Sequence, residues 1–284
     1  MSTRAYVDRA LDLLERHSME SKKADWPALR ARAHLATADA GGPEDTYEAI
    51  RRVIAELGNP HTHLITSQRA TAAPKATAPT GRMIGSTARL TLPGTASGNR
   101  AAYVTAGLKV VRDLVGRRPA GWVVDLRGNG GGDMYPMLTV VSPLLGEGRA
   151  GAFVEPDGTT TEWGIRFRHV YLGRRLTFVF RRIPRAVHRP VAVLVNGRTA
   201  SSGEAVLISF LGAENARGFG EPTAGYVTAN RPFALPDGAR LAITTALMAD
   251  RTGRTYGNTP IAPHTLVGSD DALGAAIEWL SQRP

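Results

Sequence analysis

The stretch Pro190–Phe210, PVAVLVNGRTASSGEAVLISF, constrains the fold of this chain more tightly than any other. It begins with an apolar run, Val191 to Val195, a pattern typical of a strand that is buried on both faces. Asn196 and Gly197 interrupt this run, and apolar residues at helical spacing begin after Glu204. The stretch therefore predicts a buried strand, a sharp polar turn and a helix.

Two adjacent serines, Ser201 and Ser202, lie at the start of this predicted helix. A serine hydroxyl can cap a helix by accepting a backbone N–H of the first turn. A serine can also act as a nucleophile, held where the same N–H groups stabilise an oxyanion. Helix caps are far more common than nucleophiles, so this stretch alone favours the cap.

A second turn of small residues follows the short apolar run Trp122–Leu126. Its sequence, RGNGGGD over Arg127–Asp133, can fold tightly because glycine adopts backbone conformations that other residues avoid. It lacks the last glycine of the dinucleotide fingerprint, and no Gly-Lys-Ser/Thr follows, which argues against a phosphate site. The turn is either a plain tight turn or a nest whose backbone N–H groups point at one small anion or a polarised carbonyl.

Two buried strands that each end in a turn of small residues are suited to acyl chemistry. A nucleophile of this kind needs backbone donors for the oxyanion and a base within reach. The lipase-type elbow Gly-x-Ser-x-Gly is absent, so the sequence offers no support for the α/β-hydrolase fold.

Composition narrows the class of protein. The 284 residues include no cysteine, which excludes disulfides, thiolate zinc sites and a cysteine nucleophile. The first residues contain Asp8, Asp12 and Glu15 without a continuous apolar segment, so they predict a helix rather than a signal peptide. No later segment is long enough to predict a membrane span. We therefore expect a cytoplasmic protein with no membrane partner.

The formal net charge is +10, and no acidic residue occurs between Trp163 and Gly203. From Arg166 to Phe180 arginines alternate with apolar residues, as in strands with one solvated face. This alternation argues against a nucleic-acid partner. Two interpretations remain. The arginines attract an anionic substrate or an acidic surface, or they have no specific role.

The chain divides by pattern into three parts. Residues 1–65 predict an N-terminal helical unit of three helices, the second beginning at Asp25 and the third ending at Gly58. Residues 66–82 are rich in Ala, Thr and Pro without periodicity, which predicts a linker or mobile loop. Residues 83–284 alternate strand and helix patterns, which predicts an α/β core.

Three segments together resemble the tail-specific, or C-terminal processing, serine protease family. They are DLRGNGGGD (Asp125–Asp133), NGRTASSGE (Asn196–Glu204) and GEPTAG (Gly220–Gly225). The helix end LGNPHT (Leu57–Thr62) is similar to the branch that holds the tricorn protease core and the interphotoreceptor retinoid-binding protein modules. The resemblance covers nearly the whole chain. It implies an N-terminal three-helix unit followed by a ClpP- and crotonase-like spiral of β-β-α units.

The resemblance also implies site residues. The family's nucleophile lies three positions before the acidic residue Glu204 and corresponds to Ser201. Its oxyanion donors would be the backbone N–H groups of Ser202 and Gly131. Ser202 would then also be the helix cap. No metal or cofactor is implied.

The general base is where this chain departs from the family pattern. Classical members have a lysine at the position of Tyr226, whose phenol has a reference pKa near 10 and is a poor base at neutral pH. The tricorn-like branch uses a histidine that corresponds to His61, and imidazole can accept the serine proton at neutral pH. His63 is the alternative base, although on an extended segment it would point the opposite way. Both histidines could instead only pack against the helix end.

The acid that would orient His61 is left open. The tricorn-like glutamate corresponds to the segment Arg254–Pro263, which contains no carboxylate. Glu204 and Glu221 are the candidates, although Glu204 could simply favour the helix dipole in the first turn. A Ser-His dyad, or a hydroxyl such as that of Tyr226, is the alternative.

The leading hypothesis is a serine hydrolase that cleaves a peptide, amide or ester bond through an acyl-enzyme on Ser201. One alternative is a non-catalytic binding module for an apolar ligand, the role of the retinoid-binding relatives. Another is an acyltransferase or cyclase that uses the same acyl-enzyme. A short peptide or small acyl substrate fits better than a protein tail, because the sequence has no inserted peptide-binding module. The arginine-rich segment would allow this substrate to carry an anionic group. The oligomeric state stays open.

Overall fold

The computed structural model describes residues 1–68, 77–95, 100–177, 183–184, 186 and 189–283. The chain divides into two compact units. The first comprises Met1–Ala73, Glu155–Thr159 and Thr228–Leu247, and the second comprises Pro74–Val154, Thr160–Val227 and Met248–Pro284. Each unit therefore combines several segments of the chain, whereas the predicted division uses contiguous ranges.

The described residues form seven α-helices: α1 Thr3–His17, α2 Trp26–Ala36, α3 Tyr47–Leu57, α4 Arg100–Gly116, α5 Met134–Leu145, α6 Ser202–Phe210 and α7 Ala272–Ser281. The strands are β1 His63–Ile65, β2 Thr80–Ile84, β3 Thr87–Thr91, β4 Gly121–Asp125, β5 Gly148–Val154, β6 Thr160–Arg166, β7 His169–Leu172, β8 Arg175–Leu176, β9 Val191–Val195, β10 Ala216–Gly220, β11 Thr228–Ala234, β12 Arg240–Asp250, β13 Thr255–Tyr256 and β14 Thr265–Leu266. None of these helices is both long enough and apolar enough to cross a bilayer.

The first unit contains the three predicted helices, and their ends follow from local chemistry. The side chain of Asp25 caps α2 by accepting the N–H of Ala28 at 3.1 Å. Gly58 ends α3 with φ of +75°, a left-handed conformation that glycine adopts without strain. The buried faces of these helices form one apolar cluster with residues of β1, β12 and the β11–β12 turn.

Strands β1 and β11 pair antiparallel with β12 in the first unit. A short turn joins β11 to β12, and Asp237 lies in it. Its carboxylate accepts hydrogen bonds from the hydroxyls of Tyr6, at 2.8 Å, and of Tyr47. The turn is therefore tied to α1 and α3.

The second unit is built on a sheet of strand order β14-β10-β9-β4-β3-β2. Neighbouring strands are parallel except for β2, which is antiparallel to β3. Val193 and Val195 of β9 pack in the cluster that includes α4, α5 and α6, whereas Ala192 and Leu194 pack against α7 on the other face. Burial on both faces explains the continuous apolar run that the sequence shows. The predicted α/β class is confirmed.

A second, antiparallel sheet of this unit has the order β5-β6-β7-β8. Strands β7 and β8 lie in the segment from Arg166 to Phe180 whose alternation predicted strands, and residues 178–180 of that segment lie outside the described residues.

The predicted linker, 66–82, requires a correction at its C-terminal end. Its residues 69–76 lie outside the described part of the chain. Thr80 to Arg82 belong to β2, which therefore begins before its predicted start at Met83. The apolar pattern is missing because Gly81 packs against α4, where a Cβ would lie 2.6 Å from a methyl carbon of Val110.

Candidate active site

The turn between β9 and α6 holds Ser201 in a strained conformation. Its φ of +53° and ψ of −118° are typical of the first central residue of a type II′ turn, a position that glycine usually fills. The N–H of Gly203 donates to the carbonyl of Ala200 at 2.9 Å and closes this turn. Strain of this kind costs about 1–3 kcal/mol and persists at functional sites. The Gly-x-Ser-x-Gly motif is absent, yet the serine occupies a comparably sharp strand-to-helix turn.

Glu204 stabilises this conformation from the first turn of α6. The carboxylate is fully buried and accepts the N–H of Ser201 at 2.7 Å. It also accepts the Thr223 hydroxyl and the N–H groups of Gly225, at 2.8 Å, and Tyr226, at 2.9 Å. Burial raises the pKa of Glu204, although these hydrogen bonds act in the opposite direction. Its oxygens thus hold the serine turn and the loop from Thr223 to Tyr226 together.

Ser202 is not the predicted side-chain cap, and this prediction was wrong. Its hydroxyl donates to the carbonyl of Gly132 at 2.7 Å, because the glycine turn lies next to the start of α6. The N-cap residue is Ser201, whose side chain makes no capping hydrogen bond. The N–H of Ser202 has no acceptor among the described residues, as expected for the first turn of a helix. It is therefore available to a ligand.

The glycine turn after β4 comes into contact with the serine turn because β4 and β9 are adjacent and parallel. Ala200 donates its N–H to the carbonyl of Asn129 at 2.9 Å. A Cβ on Gly131 would lie 2.9 Å from Cβ of Ser201, and φ of this glycine is +101°. Only glycine therefore allows so close an approach at this position.

The amide of Gly131 is already engaged, which argues against its predicted role as an oxyanion donor. Its N–H donates to Oδ1 of the buried Asn129 at 3.0 Å. The next N–H, of Gly132, has no acceptor within the described ranges. The sequence could not separate these neighbours because both are glycines in one run.

Thr95 sets the orientation of the peptide between these two glycines. Its N–H donates to the carbonyl of Gly131 at 2.9 Å. In a trans peptide the C=O and the following N–H point in opposite directions. The N–H of Gly132 is therefore directed away from Thr95. The Thr95 hydroxyl adds contacts to both backbone groups of Asp133 and holds the far end of the turn.

Asp125 anchors the end of β4 through two arginines. Its carboxylate lies 2.6 Å from Nη2 of Arg89, and it accepts Nε and Nη2 of Arg127 at 2.9 and 2.7 Å. Burial alone would raise its pKa, but these two cations bring the pKa of Asp125 below its usual value. The carboxylate is thus ionised and serves to hold the strand end rather than to accept protons.

In the first unit, His61 lies directly after α3 and is held at three points. Its ring Nδ1 is 2.7 Å from Oγ1 of the buried Thr228. Its N–H donates to Oδ1 of Asn59 at 3.0 Å, and its carbonyl accepts Nδ2 of Asn230 at 2.7 Å. Burial, with a smaller contribution from His63, lowers the pKa of His61 to about 4. The imidazole is therefore neutral at neutral pH.

The other predicted candidates occupy different surroundings. His63 is exposed in β1, and its Nδ1 lies 2.9 Å from the carbonyl of His61. Glu221 is exposed and accepts the N–H of Ser269 at 3.2 Å. Tyr226 is partly exposed in the second unit. Thr228 was not predicted as a site residue, because no motif in the sequence marks it.

No group of three or more histidines, aspartates or glutamates in the described part of the chain is arranged to hold a metal ion.

A family model and several known proteins are similar to this chain. The model of Peptidase family S41 matches residues 95–267, more than half of the chain. The nisin-resistance protein of Lactococcus lactis subsp. lactis is 29% identical over 99% of this chain and 88% of that protein. A lipoprotein from Streptococcus agalactiae has a similar structure, with 25% identity and a TM-score of 0.88 over 100% of this chain and 98% of that one.

The photosystem II D1 C-terminal processing protease shares the fold at 17% identity, with a TM-score of 0.65 over 95% of this chain and 94% of that one. The residues that match the family model include both turns and Ser201, whereas His61 precedes them.

Proposed function

The chain belongs to peptidase family S41 and is a serine peptidase, and from this premise we propose that its acyl-enzyme forms on Ser201. The predicted family is confirmed. The observation that carries the proposal is the strained conformation of Ser201, directly followed by the N–H of Ser202, which has no acceptor among the residues that the structure describes. Such a pairing places a nucleophile beside a preorganised donor for the oxyanion.

In the proposed mechanism, Oγ of Ser201 attacks the carbonyl carbon of a peptide bond while His61 accepts the serine proton. Because Nδ1 of His61 lies against the Thr228 hydroxyl, we assign proton transfer to Nε2. Nδ1 then carries the ring proton in the resting state and donates a hydrogen bond to the Thr228 hydroxyl oxygen. His61 next protonates the leaving amine, and a water molecule hydrolyses the acyl-enzyme by the same route in reverse.

We assign the oxyanion to the N–H groups of Ser202 and Gly132 rather than Gly131. Two contacts support this assignment. The N–H of Gly131 already donates to Oδ1 of Asn129, and the hydrogen bond from Thr95 to the carbonyl of Gly131 directs the N–H of Gly132 to the opposite side of the peptide. Loss of one such donor typically costs a factor of about 10²–10³ in kcat.

For the substrate we propose a short peptide. One relative is named a nisin-resistance protein, and nisin is therefore one of the peptides to test. The strain at Ser201 favours catalysis over a non-catalytic binding module, since strained backbone persists where function requires it. Product analysis with and without an amine acceptor would separate a hydrolase from an acyltransferase or cyclase.

A fluorophosphonate label followed by peptide mapping tests the assignment. We expect modification at Ser201 in the native protein, none in Ser201→Ala, and labelling at least about 100-fold slower in His61→Gln, because a general base contributes about 10²–10⁴-fold. His63→Gln is the matched control and should label at the native rate. Folded protein that is modified at another residue, or not at all, would contradict the proposal.

A further inference from the structure

Two arginines lie directly opposite each other at the end of the parallel sheet in the second unit. Arg82 of β2 pairs with Arg89 of β3, and Thr80 pairs with Thr91 one step along. Side chains at alternate positions share a face, so these four point to the same side. Together with Gly81 they line a groove of about 310 Å³.

The groove lies on the face of the sheet that carries α7. Arg89 is in register with Val123 of β4 and Ala192 of β9, and these two residues pack in the cluster of α7. On the opposite face Leu90 is fully buried in the cluster of α4. Arg82 and Arg89 therefore belong to a row of side chains that runs across this face of the sheet. The members of the row on β4 and β9, Val123 and Ala192, are covered by α7.

The local charge in this row is positive. Asp125 is the carboxylate that Arg89 and Arg127 share. Arg127 has a further acceptor in the carbonyl of Ser269, whereas Nε of Arg89 is buried with no hydrogen-bond partner in the described part of the chain. Arg82 is exposed and has no acidic partner there. Like charges directly opposite in a sheet are destabilising.

We propose that this groove binds a carboxylate of the peptide substrate, an acidic side chain or the C-terminus, between Arg82 and Arg89. Guanidinium groups bind a carboxylate with paired, charge-assisted hydrogen bonds, and the threonine hydroxyls add donors. Bound there, the carboxylate neutralises the excess positive charge. The inference rests on the proposed peptidase function.

The position of the groove agrees with a substrate subsite. Among the described strands, β2 is the last in its sheet, so its outer edge offers backbone groups to an extended peptide. Strand β3 leads into the segment Leu92–Thr95, which contacts the glycine turn. The carbonyl of Leu92 accepts Nδ2 of Asn129 at 2.9 Å. One continuous segment thus connects the groove to the proposed oxyanion donors.

Binding to the inactive Ser201→Ala protein tests the inference without turnover. The probes are three fluorescein-labelled octapeptides of alternating threonine and valine: one with a central glutamate and an amidated C-terminus, one with glutamine instead, and the glutamine peptide as a free acid. We expect the glutamate peptide or the free acid to bind at least about tenfold more tightly than the neutral peptide, and the preferred probe identifies which carboxylate is bound.

Arg82→Gln in the same background should reduce this preference to less than about threefold, because one of the two guanidinium groups is lost. Arg174→Gln replaces an exposed arginine between β7 and β8 and is the matched control. This variant should leave the preference for the carboxylate probe unchanged. Arg82→Glu should reverse the preference toward a probe with a central lysine.

Equal binding of the three probes would overturn the inference, as would equal effects of Arg82→Gln and Arg174→Gln. Competition by inorganic phosphate without any preference among the probes would indicate a free-anion site and would also overturn it. Failure of the proposed catalytic mechanism is distinguishable, since the preference would then persist in protein that does not cleave peptides through Ser201.

Discussion

The ring Nδ1 of His61 lies 2.7 Å from the hydroxyl oxygen of Thr228, a residue 167 positions later in the chain. The sequence left the group that orients this histidine open between a glutamate and a hydroxyl, and the group found against Nδ1 is the neutral hydroxyl of Thr228. A hydroxyl can orient the ring but adds no charge to stabilise an imidazolium. Burial therefore controls the titration and lowers the pKa of His61 to about 4.

Thr228→Val should lower kcat by about tenfold, because the hydrogen bond that orients His61 contributes about 1–1.5 kcal/mol. KM should change little, since Thr228 acts through the histidine. Thr228→Ser retains the hydroxyl and should restore most of the rate. Steady-state kinetics of both variants on one peptide check this, and equal losses in the two variants would indicate a packing role only.

The pH profile of kcat/KM should show its acidic limb near pH 4 rather than near 6.5. Because the pKa of His61 is lowered, its imidazole stays unprotonated between about pH 4 and pH 6.5 and can accept a proton there. Activity measured between pH 3.5 and 8 on a peptide without titratable groups checks this. A limb near 6.5 would mean that the imidazole is solvated in the working enzyme.

The same shift predicts sensitivity of the fold to acid. Because the pKa of His61 is lower in the folded protein than in the unfolded chain, the unfolded chain binds the extra proton first as the pH falls. Stability should be complete above about pH 6.5 and should fall between pH 6.5 and 4, by an amount on the order of 3 kcal/mol. Urea unfolding at pH 7.5 and 4.5 should show a smaller difference in His61→Gln than in the native protein.

Ser201→Gly should be more stable than Ser201→Ala by about 1 kcal/mol, although neither variant should have activity. Glycine accepts a φ of +53° without the steric cost that any Cβ incurs. The comparison of two inactive variants removes any contribution of the hydroxyl. Identical denaturation midpoints would show that the serine turn stores no strain.

Glu204→Gln should destabilise the protein by about 2–3 kcal/mol and should also reduce the labelling of Ser201. An amide has one accepting oxygen where the carboxylate has two, so buried N–H groups that now bond to Glu204 would lose their acceptor. Glu221→Gln is the matched control at an exposed carboxylate and should change stability by less than about 0.5 kcal/mol. Equal effects of the two substitutions would exclude a specific role of Glu204 in holding the turn.

Local patterns predicted much of this protein correctly. The apolar run of β9, the cap at Asp25 and the glycine at the end of α3 each depend on a few consecutive residues, and all three are found as expected. The start of β2 was missed because Gly81 is accommodated by a helix that follows later in the chain. The residues at the start of β2 do not show a strand pattern by themselves, because the fit of Gly81 depends on its contact with α4.

By itself the sequence determined where the strands end in small-residue turns and which serine follows β9, because periodicity and glycine content act on the backbone locally. Only the tertiary structure decided which polar atoms meet. The Ser202 hydroxyl contacts the carbonyl of Gly132, 70 residues earlier, rather than capping its own helix. Thr228 likewise contacts His61 across most of the chain. Such partners depend on which strands become neighbours, and a hydrogen bond between distant residues forms only after packing has brought them within about 3 Å.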